Sequence, residues 1–456
     1  MRLFRKSAVQ TAMVPSWSAL LALVVAQVFA GQSAQAETIT LLQAYDRMIS
    51  GGIEFGMIDA DLEASAETVK QAKGQRLPRV EISLQYDQIS QSVISSDNTA
   101  YATGTSVYPK TSMNFTVRQP IYDAVRFRQL PLAKAQDAVR QADAEVARNR
   151  VVRELFAAYF GVAQAQLRVS RTKAISKGRA EYERSVSEDI DTGRREVDAL
   201  IRAESDSLAA QGDELDAEIS LVEALAELQR YAGPDVTGVV LNGSKIGVVD
   251  LSSLSREMTE ASLLSMSPDV QTARASLEVA KRQRLAAKGA SQPSVDLVLD
   301  LEHQMTEGSL FGGGSETQTM TAGVMMTVPL YEGGIKKSRV RESEAGIKAA
   351  ELRSRQAEKS VLARYAALMK AAKVTAERSG KLSRQMRLTQ DSVSAAREQF
   401  DAGRASEAVL LEQGLRRDVL ALDIQGARLQ QMRVQAELYA LFGALDMKTI
   451  STQAGG

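Results

Sequence analysis

Cysteine is absent from this 456-residue chain, and histidine and tryptophan occur once each. Without cysteine there is no disulfide framework, thiolate metal site or cysteine nucleophile. With His303 as the single histidine, a multi-histidine metal site is excluded, and any Ser-His-Asp arrangement has to run through that residue. No glycine loop leads into Lys-Ser or Lys-Thr to cradle a phosphate. A charge excess of either sign is missing too, since 56 basic residues balance 56 acidic ones, which speaks against a nucleic-acid binder. Aromatic residues make up 5% of the chain against 44% hydrophobic residues overall. That is little for a thick conventional core, so the apolar content is mostly Ala, Leu and Val, the residues of long helices. These absences predict a non-enzyme, with no cofactor and no metal.

What is present begins with a targeting segment. Arg2, Arg5 and Lys6 precede an apolar run from Ala19 to Ala30 and a small-residue stretch ending in Ala34-Gln35-Ala36. That order is a secretory signal peptide over residues 1–36, too short in its apolar part to span a bilayer comfortably. Its removal takes away three basic and no acidic residues, moving the formal charge from zero to −3, and takes away Trp17 as well. No cysteine follows the cleavage site, so no lipid anchor is expected. Nothing after residue 36 resembles a transmembrane helix of about 20 apolar residues. An exported chain of this kind that sits in a membrane has to do so as a barrel.

The mature sequence reads twice. Gln119-Pro120-Ile121-Tyr122 returns as Val328-Pro329-Leu330-Tyr331, Asp191-Thr192-Gly193-Arg194 as Asp401-Ala402-Gly403-Arg404, and Tyr231-Ala232-Gly233 as Leu441-Phe442-Gly443, all at an offset of 209 or 210 residues. Such a period is far too long for a solenoid and implies an internal duplication. In each half the pattern predicts a helix, from Thr40 as N-cap through Lys73 and from Pro268 to about Lys288. Two alternating strands follow in each half: Val80–Tyr86 with Met113–Val117, and Val295–Leu301 with Met320–Val328. The Ser-, Gly- and Thr-rich segments Ser90–Thr111 and Thr306–Gln318 read as surface loops. Long proline-free helical patterns come next, from about Pro131 to Thr192 and from about Lys336 to Ala402. Beyond Gly193 and Gly403 they resume, with Ile201, Leu208, Leu215 and Val222, and then Leu415, Leu422, Leu429 and Ala436, at heptad spacing. Sustained heptads predict long antiparallel coiled-coil hairpins reversing at the two glycines.

The strands put Val80, Ile82, Leu84 and Tyr86 on one side and Arg79, Glu81 and Asp87 on the other. Arg118 in the second strand, and Asp296, Asp300 and Glu302 in the third, extend that polar side. Apolar outside with a polar lumen is the pattern of a transmembrane barrel. Four strands cannot close one, and open edges are not tolerated in lipid. An obligate homo-oligomer follows, and three copies would supply twelve strands.

In this order the motifs resemble the TolC family of outer-membrane efflux and secretion proteins. The carriers are Thr40-Leu41-Leu42-Gln43-Ala44, Leu77-Pro78-Arg79-Val80, Gln119-Pro120-Ile121-Tyr122-Asp123 and Ala157-Ala158-Tyr159-Phe160 in the first half. In the second they are Ser267-Pro268-Asp269-Val270, Val328-Pro329-Leu330-Tyr331-Glu332-Gly333-Gly334 and Phe400-Asp401-Ala402-Gly403. The resemblance implies an α+β membrane protein of the Gram-negative outer membrane: a homotrimer with a shared twelve-stranded β-barrel and a coiled-coil tunnel projecting into the periplasm. It divides the chain into a first repeat, 37–233, an equatorial segment, 234–266, a second repeat, 267–443, and a tail, 444–456. It implies as partners outer-membrane lipid, a periplasmic adaptor (membrane fusion protein) and an inner-membrane ABC or proton-driven transporter, with no nucleic acid. The adaptor would dock at the hairpin tips, Gly193, Arg194, Arg195, Gly403, Arg404 and Ser406. Phe400, Val409 and Glu412 would line the periplasmic entrance constriction. Glu196 departs from the small hydroxyl common at its place in the family, and Ala199 and Val409 stand where Asp is usual. The expected role is a passive exit duct of a tripartite system for type I protein secretion. Efflux of small molecules is the alternative, and a pore-free periplasmic scaffold a remote one.

Overall fold

The structure is a computed structural model describing residues 37–94, 104–193, 196–240, 259–308 and 313–445. The expected signal peptide lies outside these residues, as do Arg194 and Arg195 at the first tip and most of the tail. In chain order the elements are β1 (Glu37–Ile39), α1 (Leu41–Gly51), α2 (Ile53–Gly74), β2 (Arg79–Val93), β3 (Gly104–Asp123), α3 (Ala124–Asp191), α4 (Val197–Ala232) and β4 (Val236–Val239). They continue with α5 (Glu260–Met266), α6 (Pro268–Gly289), β5 (Ser294–Thr306), β6 (Ser315–Thr327), α7 (Ile335–Asp401) and α8 (Glu407–Leu441).

α3 and α7, with 68 and 67 residues, would each be about 100 Å long at 1.5 Å per residue. They are the full-length staves of the molecule. On the side toward the sheet, the lateral helix order is α2, α3, α6, α7; on the far side it is α4, α3, α8, α7. The wall is four helices wide and one helix thick. Low aromatic content follows from that geometry, because a single layer of helices has seams and no centre. The seams are closed by small side chains: α4 buries Ala203, Ser207, Ala210 and Ala217.

One region is thicker. Midway along α3, Val151, Leu155, Phe156, Tyr159, Phe160 and Val162 are buried with Ile39, Leu41, Met48, Leu228 and Val236. Short strands β1 and β4 pair in parallel there, Glu37 opposite Val236 and Ile39 opposite Val239. The Tyr159 hydroxyl donates to the Val240 carbonyl at 3.1 Å. Burial pushes its pKa up to about 12, since a phenolate there would lose its hydration. Leu263, Val270, Val361, Leu438 and Phe442 form a second cluster against α7.

Several expected boundaries shift. The single helix expected from Thr40 to Lys73 is two helices; Thr40 caps α1 in a capping box with Gln43, and adjacent Gly51 and Gly52, the poorest helix formers after proline, separate it from α2. The first long helix begins at Ala124, seven residues before the expected Pro131, because Asp123 caps it by accepting from the Val125 and Arg126 amides. Pro131 therefore sits inside the helix, where it has no amide for the Phe127 carbonyl. The Arg76 guanidinium donates to that carbonyl and lies over the Phe127 ring, 5.2 Å from its centroid. The expected loop over Ser90–Thr111 is largely strand, since β2 runs to Val93 and β3 starts at Gly104. Its alternation fades past Asp87, so periodicity does not mark it, yet the backbone ladder continues. Similarly, β5 and β6 close the second expected loop to residues 307–314.

The heptads divide unequally. Leu429 and Ala436 on α8 are buried, whereas Ile201, Leu208, Leu215 and Val222 on α4 are 61–67% exposed. Position explains this, because α8 lies between α3 and α7 while α4 has a long-helix neighbour on one side only.

Candidate functional site: the sheet and the tunnel tips

The four long strands form one antiparallel sheet in the order β2-β3-β5-β6. Directly opposed residues share a face, so the register tests the expected polar side strand by strand. Glu81 opposes Thr116, which opposes Asp300, which opposes Thr321. One step outward, Ser83, Asn114, Glu302 and Thr319 make the next row, and Arg79 stands opposite Arg118. Asp87 pairs with Lys110 on the same face. The other face carries Ile82, Phe115, Leu301 and Met320 in one row and Val80, Val117, Leu299 and Ala322 in the next. All seven residues expected on the polar side are therefore brought to one face.

Their surroundings differ. The Thr116 hydroxyl donates to Asp300 at 2.6 Å, and Arg79 reaches Glu81 at 3.6 Å. Glu302 and Arg118 are exposed. Asp296 is half-buried at the foot of the sheet, 3.7 Å from Arg126, which also pairs with the capping Asp123 at 3.1 Å. It fastens strand to helix. His303 lies on the apolar face near the far end of β5, 3.3 Å from Glu316. Both outer strands, β2 and β6, present an unpaired edge.

At the opposite end of the tunnel, Gly193 and Gly403 reverse the hairpins with φ of +73° and +68°, conformations that cost other residues strain. The Arg404 amide donates back to the Gln399 carbonyl at 2.8 Å, tightening the second tip. Ser406 is the N-cap of α8 in extended conformation, and its carbonyl accepts from the Val409 amide at 3.1 Å. Glu196 occupies the same place ahead of α4 without a side-chain capping bond. Phe400 and Val409 are 36% and 42% exposed. Glu412 is exposed and pairs with Arg416, one turn on, at 3.2 Å.

Glu412 lines a groove of about 470 Å³ with Arg179, Tyr182, Asp198, Arg202 and Asp206. Arg202 pairs with Asp198, and Arg179 lies 3.8 Å from Asp206. Leu415 seats α8 against α3 at Gly178, where an added Cβ would come within 2.7 Å of the leucine Cδ2. Two of these features are new relative to the sequence reading. Arg416 as countercharge could have been read from its i,i+4 spacing to Glu412. The Gly178–Leu415 seat has no signal beyond a glycine inside a helical run.

Comparison with known proteins gives the arrangement a context. The family model described as outer membrane efflux protein matches residues 54–234 and 261–444. The chain is 20% identical to the outer membrane protein TolC of Escherichia coli K12 over 357 residues, covering 75% of this chain and 70% of that one. It is 25% identical to the proteases secretion protein PrtF of Dickeya chrysanthemi over 402 residues, covering 83% and 80%. Among solved structures, the Campylobacter jejuni CmeC outer membrane channel superposes with a TM-score of 0.73 at 16% identity, covering 93% and 94%. The Vibrio cholerae outer membrane protein VceC gives 0.70 at 15%, covering 89% and 97%. The chain, matched by one family model across both halves, belongs to the outer membrane efflux protein family and is a TolC-like channel of the Gram-negative outer membrane with a helical tunnel in the periplasm.

Proposed function

We propose that three copies of this chain form a passive exit duct for polypeptides in type I secretion, built by internal duplication and completed as a twelve-stranded barrel. The observation that carries the assembly is the pair of open flanks on one chain. β2 and β6 leave a hydrogen-bonding edge at each side of the sheet, and an open edge is not tolerated in lipid. Below the sheet, the exposed heptad stripe Ile201, Leu208, Leu215 and Val222 lies on α4 at one flank. Leu352, Val374 and Leu388, each more than half exposed, lie on α7 at the other. Three-fold closure lays α4 of one copy against α7 of the next and pairs β2 with β6 around the ring.

Within that ring the polar sheet face becomes the wet lumen. The tips around Gly193 and Gly403, with Arg194, Arg195, Arg404 and Ser406, receive a periplasmic adaptor carrying acidic loops. Three Glu412 carboxylates narrow the entrance together with Phe400 and Val409, and an inner-membrane transporter supplies the energy. The polypeptide cargo is supported by the similarity to PrtF, named for protease secretion.

The test has two arms. Leu208→Asp combined with Leu215→Asp changes side chains that already face solvent in one chain, so it leaves the protomer folded and abolishes heat-modifiable trimers in the outer-membrane fraction. Retained trimers would overturn the assembly. In a strain deleted for the gene, secreted polypeptide is lost from the medium while susceptibility to small toxic compounds is unchanged. The reverse outcome assigns small-molecule efflux instead.

A further inference from the structure

Where the helices meet the sheet, the chain changes its charge abruptly. Segments 70–76, 124–134, 281–289 and 335–341 are the helix ends adjoining the strands; together they hold fourteen basic residues and no acidic one, in a chain with no net charge. Some of these are tied to the fold: Arg76 to the Phe127 carbonyl, Arg128 to the Leu285 carbonyl, and Arg284 to Glu344. Six others, Lys73, Lys134, Lys288, Lys337, Arg339 and Arg341, are exposed, and none makes a side-chain hydrogen bond or ion pair among the described residues. Of these, Lys73, Lys288, Lys337 and Arg339 lie within about 6 Å, along the helix axis, of the end facing the sheet. Directly beside them, in the link from β6 to α7, Leu330 and Tyr331 are 91% and 86% exposed in a single chain.

Unpaired like charges on neighbouring helices repel one another, and exposed large apolar side chains next to them gain nothing in water. A membrane interface accounts for both. An aromatic and a leucine enter the headgroup region beneath the apolar sheet band, while long basic side chains reach the phosphates. The apolar sheet face runs directly into this level, since Val80 and Met326 stand on its last rows. We propose that this junction is a lipid-binding collar, selecting anionic phospholipid headgroups in the periplasmic leaflet through Lys73, Lys288, Lys337 and Arg339, with Leu330 and Tyr331 as its interfacial anchor. The attraction of basic residues to an anionic leaflet falls off within a Debye length, so only side chains this close to the sheet take part. The collar depends on the membrane barrel and is independent of which cargo the duct carries.

The chain beyond the expected signal peptide contains no tryptophan, so Tyr331→Trp introduces a single fluorophore at the collar. The full-length mature variant is reconstituted in bilayers mixing phosphatidylglycerol and phosphatidylethanolamine, with bromine on one lipid or the other, and channel conductance confirms insertion. The expected result is about twofold or greater excess quenching by brominated phosphatidylglycerol over its bulk fraction, abolished by 0.5 M salt. Adding Lys73→Gln, Lys288→Gln, Lys337→Gln and Arg339→Gln should return the quenching ratio to the bulk value with conductance retained. Absence of quenching by either lipid would mean the site does not face lipid. Equal quenching by both would mean that the junction does not select anionic lipid, and a ratio that the four substitutions leave unchanged while ion selectivity shifts would put these charges in the lumen. Each of these results would overturn the collar, whereas loss of conductance in the parent channel would instead indict the barrel assembly.

Discussion

The two ends of the tunnel are built from the same long helices and carry opposite charge. At the sheet, the four adjoining segments are wholly basic; at the tips, segments 181–206 and 391–418 hold fifteen acidic residues against eight basic ones. How the charges are held differs as well. At the tips several arginines pair along their own helix, Arg202 with Asp198, Arg397 with Asp401 and Arg416 with Glu412. At the sheet end several lysines and arginines stand alone. Pairs within one helix leave the tip free to change its lateral contacts without stranding a charge, which suits an entrance. Unpaired cations suit a fixed position against a charged surface. A formal charge of zero conceals this polarity entirely.

The largest expected effect separates the ends by packing. Gly178→Val would drive Leu415 from its seat and push α8 away from α3 at the tip. Single-channel conductance should rise several-fold in planar bilayers, while the same substitution leaves lipid contacts at the sheet unchanged. A conductance equal to wild type would remove the seat from any account of the entrance. Next comes Arg76→Ala at the sheet end, which leaves the Phe127 carbonyl facing Pro131 without a donor. An unsatisfied part-buried carbonyl costs about 1 kcal/mol, to be read as lowered thermal stability with tip conductance unaffected. Glu412→Ala should have a smaller effect, raising conductance by about a factor of two and weakening block by divalent cations; Arg416→Ala should strengthen that block, because the carboxylate then loses its countercharge.

The girdle between the ends supplies the mildest test. Tyr159 is held neutral by burial, with its pKa raised to about 12 from the usual value of 10. Its stabilising contribution is therefore complete below pH 10 and is lost as pH rises from 10 through 12. Tyr159→Phe removes the hydrogen bond to Val240, costing about 1 kcal/mol at neutral pH, and flattens the alkaline part of the stability curve. Unfolding midpoints at pH 8 and pH 11 measure both.

Much of this could be read in the residues. The alternation in Val80–Tyr86, Met113–Val117 and Val295–Leu301 placed seven charged residues on one sheet face, because a strand's period of two leaves no choice once one side is apolar. Gly193 and Gly403 announced the reversals. What was missed has a common cause. The outer part of the first hairpin, 88–93 with 104–109, is held by backbone pairing and carries mixed side chains, so no periodicity marks it. Asp123 outranked Pro131 as the start of α3 because Arg76, 51 residues from Phe127 in sequence, supplies the donor that the proline lacks. The α4 heptad looked like an intrachain seam, and which of two equally apolar stripes finds a partner within the chain depends on lateral order.

By itself, the sequence determined the period of each element, the points of reversal and the absence of a thick core, since these are local consequences of spacing and composition. It held the opposite charges of the two ends in plain view but scattered over four separated segments. Only the tertiary structure brought those segments to one level beside the sheet and left Lys73, Lys288, Lys337 and Arg339 without partners among the described residues. Contacts between residues hundreds of positions apart obey no short-range pattern, and whether a charge is paired or solitary is decided by them alone.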